Sequence, residues 1–251
     1  MKPKYVIIIL WVAVLAMIIV RAFTSSSSTN EASTQASNRN QSAQTVSSDS
    51  CAMQAVDLGL SVKWASCNLG AEKPENFGNY YAWGEVAPKV EYTWSTYKYA
   101  KDSLPTKYCS DSTYGYNSFT DSITTLTLED DAAHVNWGDN WRMPTYDEWG
   151  ELHNECTWTW TVQNEVNGYQ VTSKKNGNSI FLPAAGYRIG SDTIDAGEEV
   201  EGNRRYSGRY WSSFVRESDP DYAWYFYFGE KGQGRSIYSR RHGFSVRPVC
   251  Q

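Results

Sequence analysis

The sequence predicts an α+β domain in which two short helices flank a curled antiparallel sheet with long loops. Three observations lead to this prediction. Several segments alternate apolar and polar residues as strands do, and two helix starts have capping-box form. Long stretches show neither the two-residue period of a strand nor the period of a helix. An N-terminal apolar helix is expected in front of this domain.

The N-terminus carries an uninterrupted apolar run over residues 6–20, with two lysines before it and an arginine after it. Residues 1–23 are therefore predicted to be a single-pass signal anchor, in the membrane through residues 5–23, or a signal peptide cleaved after Ala22. The lysines place the N-terminus in the cytoplasm. The rest of the chain is expected in the cell envelope or at the cell surface, or secreted if cleavage occurs.

Residues 24–50 are almost wholly Ser, Thr, Asn, Gln and Ala, which predicts a disordered linker. Residues 51–251 are long enough for one domain with its own core. The net charge of −5 argues against a nucleic-acid partner, although basic residues are concentrated in the last fifty positions.

Five cysteines stand at positions 51, 67, 109, 156 and 250, and an odd number cannot all pair. Outside the cytoplasm disulfides persist. Pairing of Cys156 with Cys250, or of Cys67 with one of them, is favoured, and Cys51 is the candidate for a free or intermolecular thiol. Free buried thiols throughout are the alternative.

Strands are predicted where apolar residues alternate or β-forming residues cluster between turn residues. These segments are 55–67, 158–161, 168–173, 178–182, 210–213, 223–228 and 244–249. One helix is predicted from Thr127 with Asp130 to before Gly138, and a second from Thr145 with Glu148. Residues 88–125 have no sustained period and predict a long irregular excursion.

The segment 208–250 concentrates aromatic and arginine side chains, a composition typical of binding hot spots. Within it, strand alternation predicts that Trp224, Phe226 and Phe228 face the core while Tyr225 and Tyr227 face solvent. The predicted ligand-binding residues are Tyr225, Tyr227, Tyr238, Arg241, His242, Arg209, Arg216 and Arg235.

Six blocks in order resemble the Fibrobacter succinogenes major paralogous domain over essentially all of 56–250. They are AVDLGLSVKWASCNLGA at 55–71, YYAWGE at 80–85, LEDDAA with NWGDNWRMPT within 128–145, FLPAAGYR at 181–188, YWSS at 210–213 and GFSVRPVC at 243–250. The resemblance implies a C-type lectin-like fold, shared with formylglycine-generating enzymes and with variable proteins of diversity-generating retroelements. It also implies that the first strand pairs with the last, and that loops between Tyr210 and Gly243 form the ligand face.

The resemblance raises the alternative of a retroelement-diversified receptor, in which adenines of Asn codons are varied. The positions it would place there are Tyr225, Tyr227, Ser236, Ile237, Tyr238, Ser239, Arg241 and His242, with Trp211, Trp224, Phe226, Phe228, Arg240 and Val246 as framework. Each of these eight residues is of a type that can be reached from an Asn codon by adenine changes, although common surface residues pass the same test.

Calcium-dependent sugar binding is a weaker alternative, because the sequence lacks the Glu-Pro-Asn or Gln-Pro-Asp triplet and the Trp-Asn-Asp motif of such lectins. Lys73 to Asn76 has the wrong residue order, and the acidic residues Glu217, Asp219 and Asp221 are interpreted as a solvated loop. We expect neither a metal nor a cofactor.

No enzymatic activity is predicted. The three histidines show no HxxxH spacing, and neither GxSxG nor a Gly-rich phosphate loop is present. The reactive cysteine pair of the formylglycine-generating enzymes matches no position in this sequence. The predicted function is an extracytoplasmic, adhesin-like or receptor-like display module that binds a protein or glycan on another surface. A structural subunit of a surface assembly is the alternative.

Overall fold

The computed structural model describes residues 53–200 and 203–251, and regular structure in this part of the chain is mostly β-strand. The strands are β1 Ala55–Val56, β2 Lys63–Ala65, β3 Ala100–Lys101, β4 Leu104–Pro105, β5 Trp141–Arg142, β6 Cys156–Gln163, β7 Val166–Ser173, β8 Ser179–Pro183, β9 Tyr187–Ile189, β10 Asp192–Ile194, β11 Ala196–Val200, β12 Asn203–Val215, β13 Tyr222–Gly229, β14 Gly232–Ser239 and β15 Val249–Cys250.

Several small sheets, rather than one, are built from these strands. The central sheet is the four-stranded antiparallel meander β11-β12-β13-β14, and β6-β7-β8 form a three-stranded antiparallel sheet. A third sheet has the order β1-β2-β15-β5, and β3 with β4 and β9 with β10 form two-stranded ribbons. The N-terminal segment of the domain therefore pairs with its C-terminal strand, as the resemblance implied, through Trp64 opposite Val249.

The helices of the described residues are short. The α-helices are α1 Ala132–Trp137 and α2 Tyr146–Glu155, and single 3-10 turns form at Trp94–Thr96, Tyr116–Ser118 and Leu128–Asp130. Helix α2 begins as predicted, because Thr145 accepts from the backbone N–H of Glu148 while the Glu148 carboxylate accepts from that of Thr145. Helix α1 begins later than predicted, since its N-cap is Asp131, whose carboxylate accepts from two backbone N–H groups.

The α+β prediction, with two helices flanking one curled sheet, is wrong. The helices are only six and ten residues long, whereas residues 156–239 form a nearly continuous series of strands. The predicted loops between Tyr210 and Gly243 are mainly β12, β13 and β14. The C-type lectin-like fold that the resemblance implied is part of this prediction and is wrong for the same reason. The predicted N-terminal apolar helix, the linker and Cys51 lie outside the described residues.

Both faces of the central sheet are packed, because alternate residues of β13 enter different clusters of buried side chains. On one face Phe226 stacks on Trp149 of α2, with ring centroids 5.0 Å apart. On the opposite face Trp211 stacks on Phe244, with centroids 4.1 Å apart. The central sheet is thus an inner layer of the domain.

A buried guanidinium joins the segments around the central sheet. Arg247 is fully buried and donates hydrogen bonds to the Asn68 Oδ1 atom and to the backbone carbonyls of Ala65 and Phe181, at 2.8–3.0 Å. Burial lowers the pKa of Arg247 to about 10, so the charge is retained at neutral pH. The Tyr210 hydroxyl extends this network by donating to the carbonyl of Pro183 at 2.8 Å.

Cys109, Cys156 and Cys250 are free thiols. The favoured pairing of Cys156 with Cys250, or of Cys67 with one of them, is therefore wrong. Cys109 and Cys156 are buried, and burial raises the pKa of the Cys156 thiol to about 11. These thiols serve as small apolar side chains of the interior.

We expect Arg247→Met to lower the free energy of unfolding by about 3 kcal/mol, because it leaves three buried acceptors without donors. Loss of the buried charge offsets part of this cost. The matched control is Arg205→Met on exposed Arg205, which should change stability by less than about 0.5 kcal/mol. Urea denaturation measures both variants, and equal losses would contradict a structural role for Arg247.

Candidate functional site

The two tyrosines predicted to face solvent from β13 differ in burial. Tyr227 is 41% exposed, whereas Tyr225 is only 8% exposed. The ring of Tyr225 packs on Phe244 at 4.9 Å, and on Trp211 and Tyr238 at 6.1–6.2 Å between centroids. The prediction that Tyr225 faces solvent is therefore wrong, because the segment around Phe244 covers that end of the sheet face.

His242, also predicted to lie outward, is buried and packs against the half-buried ring of Tyr238 at 5.0 Å. Its Nε2 atom accepts from the Nε atom of Arg241 at 3.3 Å. Burial, with the charges of Arg241 and Arg209, lowers the pKa of His242 to about 4. The imidazole is thus neutral at pH 7, and the prediction that His242 faces outward is wrong.

Arg209 lies at the centre of the aromatic side chains on this sheet face. Its guanidinium carbon is 3.5 Å from the ring centroid of Tyr187 and 4.9 Å from that of Tyr238. A carboxylate oxygen of Asp195 is 3.8 Å from the Nη2 atom, beyond hydrogen-bond distance. The buried Nη1 atom has no hydrogen-bond partner among the described residues. Stacking therefore fixes the guanidinium while leaving donors unused.

A cavity of about 460 Å³ opens beside Arg209, where the cover over the sheet face ends. We call it the Arg209 cavity. Its lining residues are Ser207, Arg209, Tyr225, Tyr227, Phe228, Gly229, Lys231, Gly232 and Gln233. Its volume falls in the range of small-molecule sites, which combine apolar walls with a few polar groups.

A glycine on β14 leaves space above the sheet beside the cavity, because it has no side chain. Gly234 lies opposite Tyr227 in the β13–β14 register, and a methyl group at Gly234 would be 3.4 Å from the tyrosine ring. The ring of Tyr227 thus lies over the backbone of Gly234. One aromatic face is therefore available beside the cavity.

The remaining predicted arginines lie elsewhere. Arg216 and Arg235 line a separate cavity of about 740 Å³ with Trp224, and the guanidinium carbon of Arg235 lies 3.9 Å from the Tyr146 ring centroid. The guanidinium carbon of Arg241 is 5.4 Å from the ring centroid of Trp94, outside the linings of both cavities. The structure therefore brings together Arg209, Tyr225 and Tyr227, with Tyr238 and His242 packed behind them, but not all eight residues.

Sequence reasoning missed Lys231, Gln233 and Ser207 as lining residues. The first two belong to the hairpin in which Gly229 pairs with Gly232 across Glu230 and Lys231. Glycines on both sides of two polar residues after an alternating strand are a recognisable turn signal. Ser207 carries no such signal, because its place in the lining depends on pairing with Gly229.

Within residues 53–200 and 203–251, no group of three or more His, Cys, Asp or Glu side chains is arranged to hold a metal ion. The same residues include no helix that is both long and apolar enough to cross a membrane. The anchoring segment predicted over residues 5–23 lies outside them.

Comparison with known proteins adds one finding. A family model described as a domain of unknown function, DUF8237, matches residues 151–249. This span includes the central sheet and the whole lining of the Arg209 cavity. Neither a curated protein nor a solved structure matches the chain.

Tyr225→Ala and Tyr227→Ala should differ in stability, because only Tyr225 is buried. We expect Tyr225→Ala to lower the free energy of unfolding by about 3–4 kcal/mol, and Tyr227→Ala to lower it by less than about 1 kcal/mol. Chemical denaturation of both variants measures the difference. Comparable small losses would show that Tyr225 is not a core residue.

Acidification should destabilise the domain partly through His242. Its folded pKa, about 4, lies below the ordinary 6.5, so the unfolded chain binds the proton first. This contribution is fully present above pH 6.5 and is lost as the pH falls towards 4. We expect the loss of unfolding free energy between pH 7 and pH 4 to be about 1–2 kcal/mol smaller in His242→Gln than in the wild type. This expected difference is reduced for solvent screening of the partly exposed imidazole. His134→Gln is the control, and the measurement is the urea midpoint at pH 7, 5 and 4. Parallel pH profiles for His242→Gln and the wild type would contradict the assignment.

Proposed function

We propose that residues 51–251 form an extracytoplasmic ligand-binding module, displayed on the linker 24–50 and held at the membrane through residues 5–23. Its role is adhesin-like or receptor-like, with a protein or glycan on another surface as partner. The domain is assigned no reaction, and its ligand binds at the Arg209 cavity.

One observation supports this function above all. The Arg209 guanidinium, which stacks on aromatic rings and has a nitrogen without a hydrogen-bond partner among the described residues, lines the same cavity as the exposed Tyr227. The Nη1 atom of Arg209 has no hydrogen-bond partner in the described part of the chain, and Tyr227 exposes 41% of its surface beside the cavity. Buried polar groups in proteins are generally paired, so an unpaired guanidinium nitrogen at a cavity wall favours a ligand as its partner. Tyrosine and arginine are also the residues that most often dominate binding energy.

The burial of Tyr225 and His242 argues against free variation at all eight positions of the retroelement alternative. Replacement of either residue would disturb packing around Phe244 and Tyr238. Variation at Tyr227 would leave this packing intact. A diversified receptor with this fold would thus be restricted to fewer positions than the resemblance implied.

A screen of the full 251-residue chain on arrays of glycans and cell-surface proteins tests the proposal. We expect a specific ligand whose affinity falls at least about tenfold with Tyr227→Ala, since aromatic hot spots contribute more than about 1.4 kcal/mol. Tyr222→Ala is the matched control, because Tyr222 lies on the same strand, is 37% exposed and does not line the cavity.

Binding that Tyr227→Ala and Tyr222→Ala weaken equally would move the site away from the Arg209 cavity. A stoichiometric companion protein that copurifies with the chain from native envelopes would instead favour the structural-subunit alternative.

A further inference from the structure

The charged side chains that line the Arg209 cavity are both cationic. Arg209 and Lys231 belong to the lining, and the other seven lining residues are uncharged. Acidic groups lie at its margin, since Asp195 and Glu230 line the neighbouring cavity that shares Ser207, Gly229 and Lys231. The cavity itself therefore favours a negatively charged group.

Arg209 differs from the two fully buried arginines in how its donors are used. Arg240 donates three hydrogen bonds to the backbone carbonyls of Tyr99, Lys107 and Tyr108, although its Nε atom has no partner among the described residues, and Arg247 also makes three hydrogen bonds. Within residues 53–200 and 203–251, Arg209 has no hydrogen-bond partner for its Nη1 atom, and its Nη2 atom lies beyond hydrogen-bond distance of Asp195. A carboxylate matches the planar fork of a guanidinium with two parallel hydrogen bonds.

The cavity also offers a partner for a hydroxyl group. The buried Oγ atom of Ser207 has no hydrogen-bond partner among the described residues. Tyr227 provides a flat ring at the edge, positioned over Gly234. A compact ring with hydroxyl groups on its rim and an apolar face fits these groups better than an extended peptide, whose backbone needs a free strand edge.

We infer that the Arg209 cavity binds the carboxylate of an acidic sugar, with Arg209 holding the carboxylate, Ser207 meeting a hydroxyl group and Tyr227 packing on the sugar ring. This inference rests on the proposed function and names the ligand class of the same site. Lys231 adds a second positive charge without a fixed geometry.

The test is isothermal titration of the full chain with a panel of uronate-containing and sialate-terminated oligosaccharides, each paired with its neutral methyl ester. We expect at least one acid to bind at least about tenfold more tightly than its ester, because hydrogen bonds between charged groups are the stronger kind. Arg209→Lys should reduce that affinity at least about tenfold, since lysine keeps the charge but loses the fork. Tyr227→Phe should bind normally, while Tyr227→Ala should not.

Thermal unfolding of each variant shows whether folding is retained, and Lys231→Gln is a second charge variant that leaves the stacked cluster intact. It should weaken binding of the acid more than binding of the ester. Equal affinity for acids and esters, or full affinity in Arg209→Lys, would overturn the carboxylate assignment. Binding of a glutamate-rich peptide without binding of any acidic sugar would overturn the sugar assignment.

Gly234→Val separates this inference from the proposed function, because its side chain would displace the Tyr227 ring, whereas the Gly234→Ala control makes only an ordinary contact. If a neutral glycan or a protein binds and Gly234→Val blocks it, the acidic-sugar inference fails and the proposed function stands. If Gly234→Val and Arg209→Lys impair no ligand found on the arrays, both fail.

Discussion

The described domain depends on buried guanidinium groups that hydrogen-bond to the backbone of irregular segments. Long loops packed inside a protein need donors for their carbonyl groups, because a buried carbonyl without one is costly. Arg247 provides them for Ala65 and Phe181, and Arg240 provides them for three carbonyls within residues 99–108. A guanidinium presents several donors on one rigid plane. One side chain therefore joins segments that no common sheet connects.

With the loops held in this way, both faces of the central sheet are covered for most of their area. Aromatic rings of α2 and β6 pack on one face, and the segment around Phe244 packs on the other. Accessible surface remains where this second cover ends, beside Tyr227 and the β13–β14 hairpin. The candidate site thus lies where the packed core ends. The rings of Tyr187 and Tyr238, which belong to that core, hold the Arg209 guanidinium in place. A guanidinium held in this way loses little conformational freedom when it binds.

Some elements could be predicted from the sequence because their determinants are local. Helix α2 begins at Thr145, since a capping box needs only residues three positions apart. Strand β13 follows from its alternation, and Phe226 and Phe228 face the core as expected. Strand β14 was missed, because Gly232, Gly234 and Ser236 give it no apolar period. It forms a strand through pairing with β13, which supplies its hydrogen-bond partners.

The sequence by itself determined that the C-terminal segment concentrates tyrosine and arginine, where α2 begins, and which side of β13 carries Phe226 and Phe228. Only the tertiary structure decided that Tyr225 and His242 are buried, that Tyr227 is exposed, and that Arg240 donates to backbone carbonyls whereas Arg209 stacks on aromatic rings. The physical reason is the range of the interactions. Caps and strand alternation depend on near neighbours, whereas burial of a side chain depends on segments far along the chain, such as Tyr187 against Arg209.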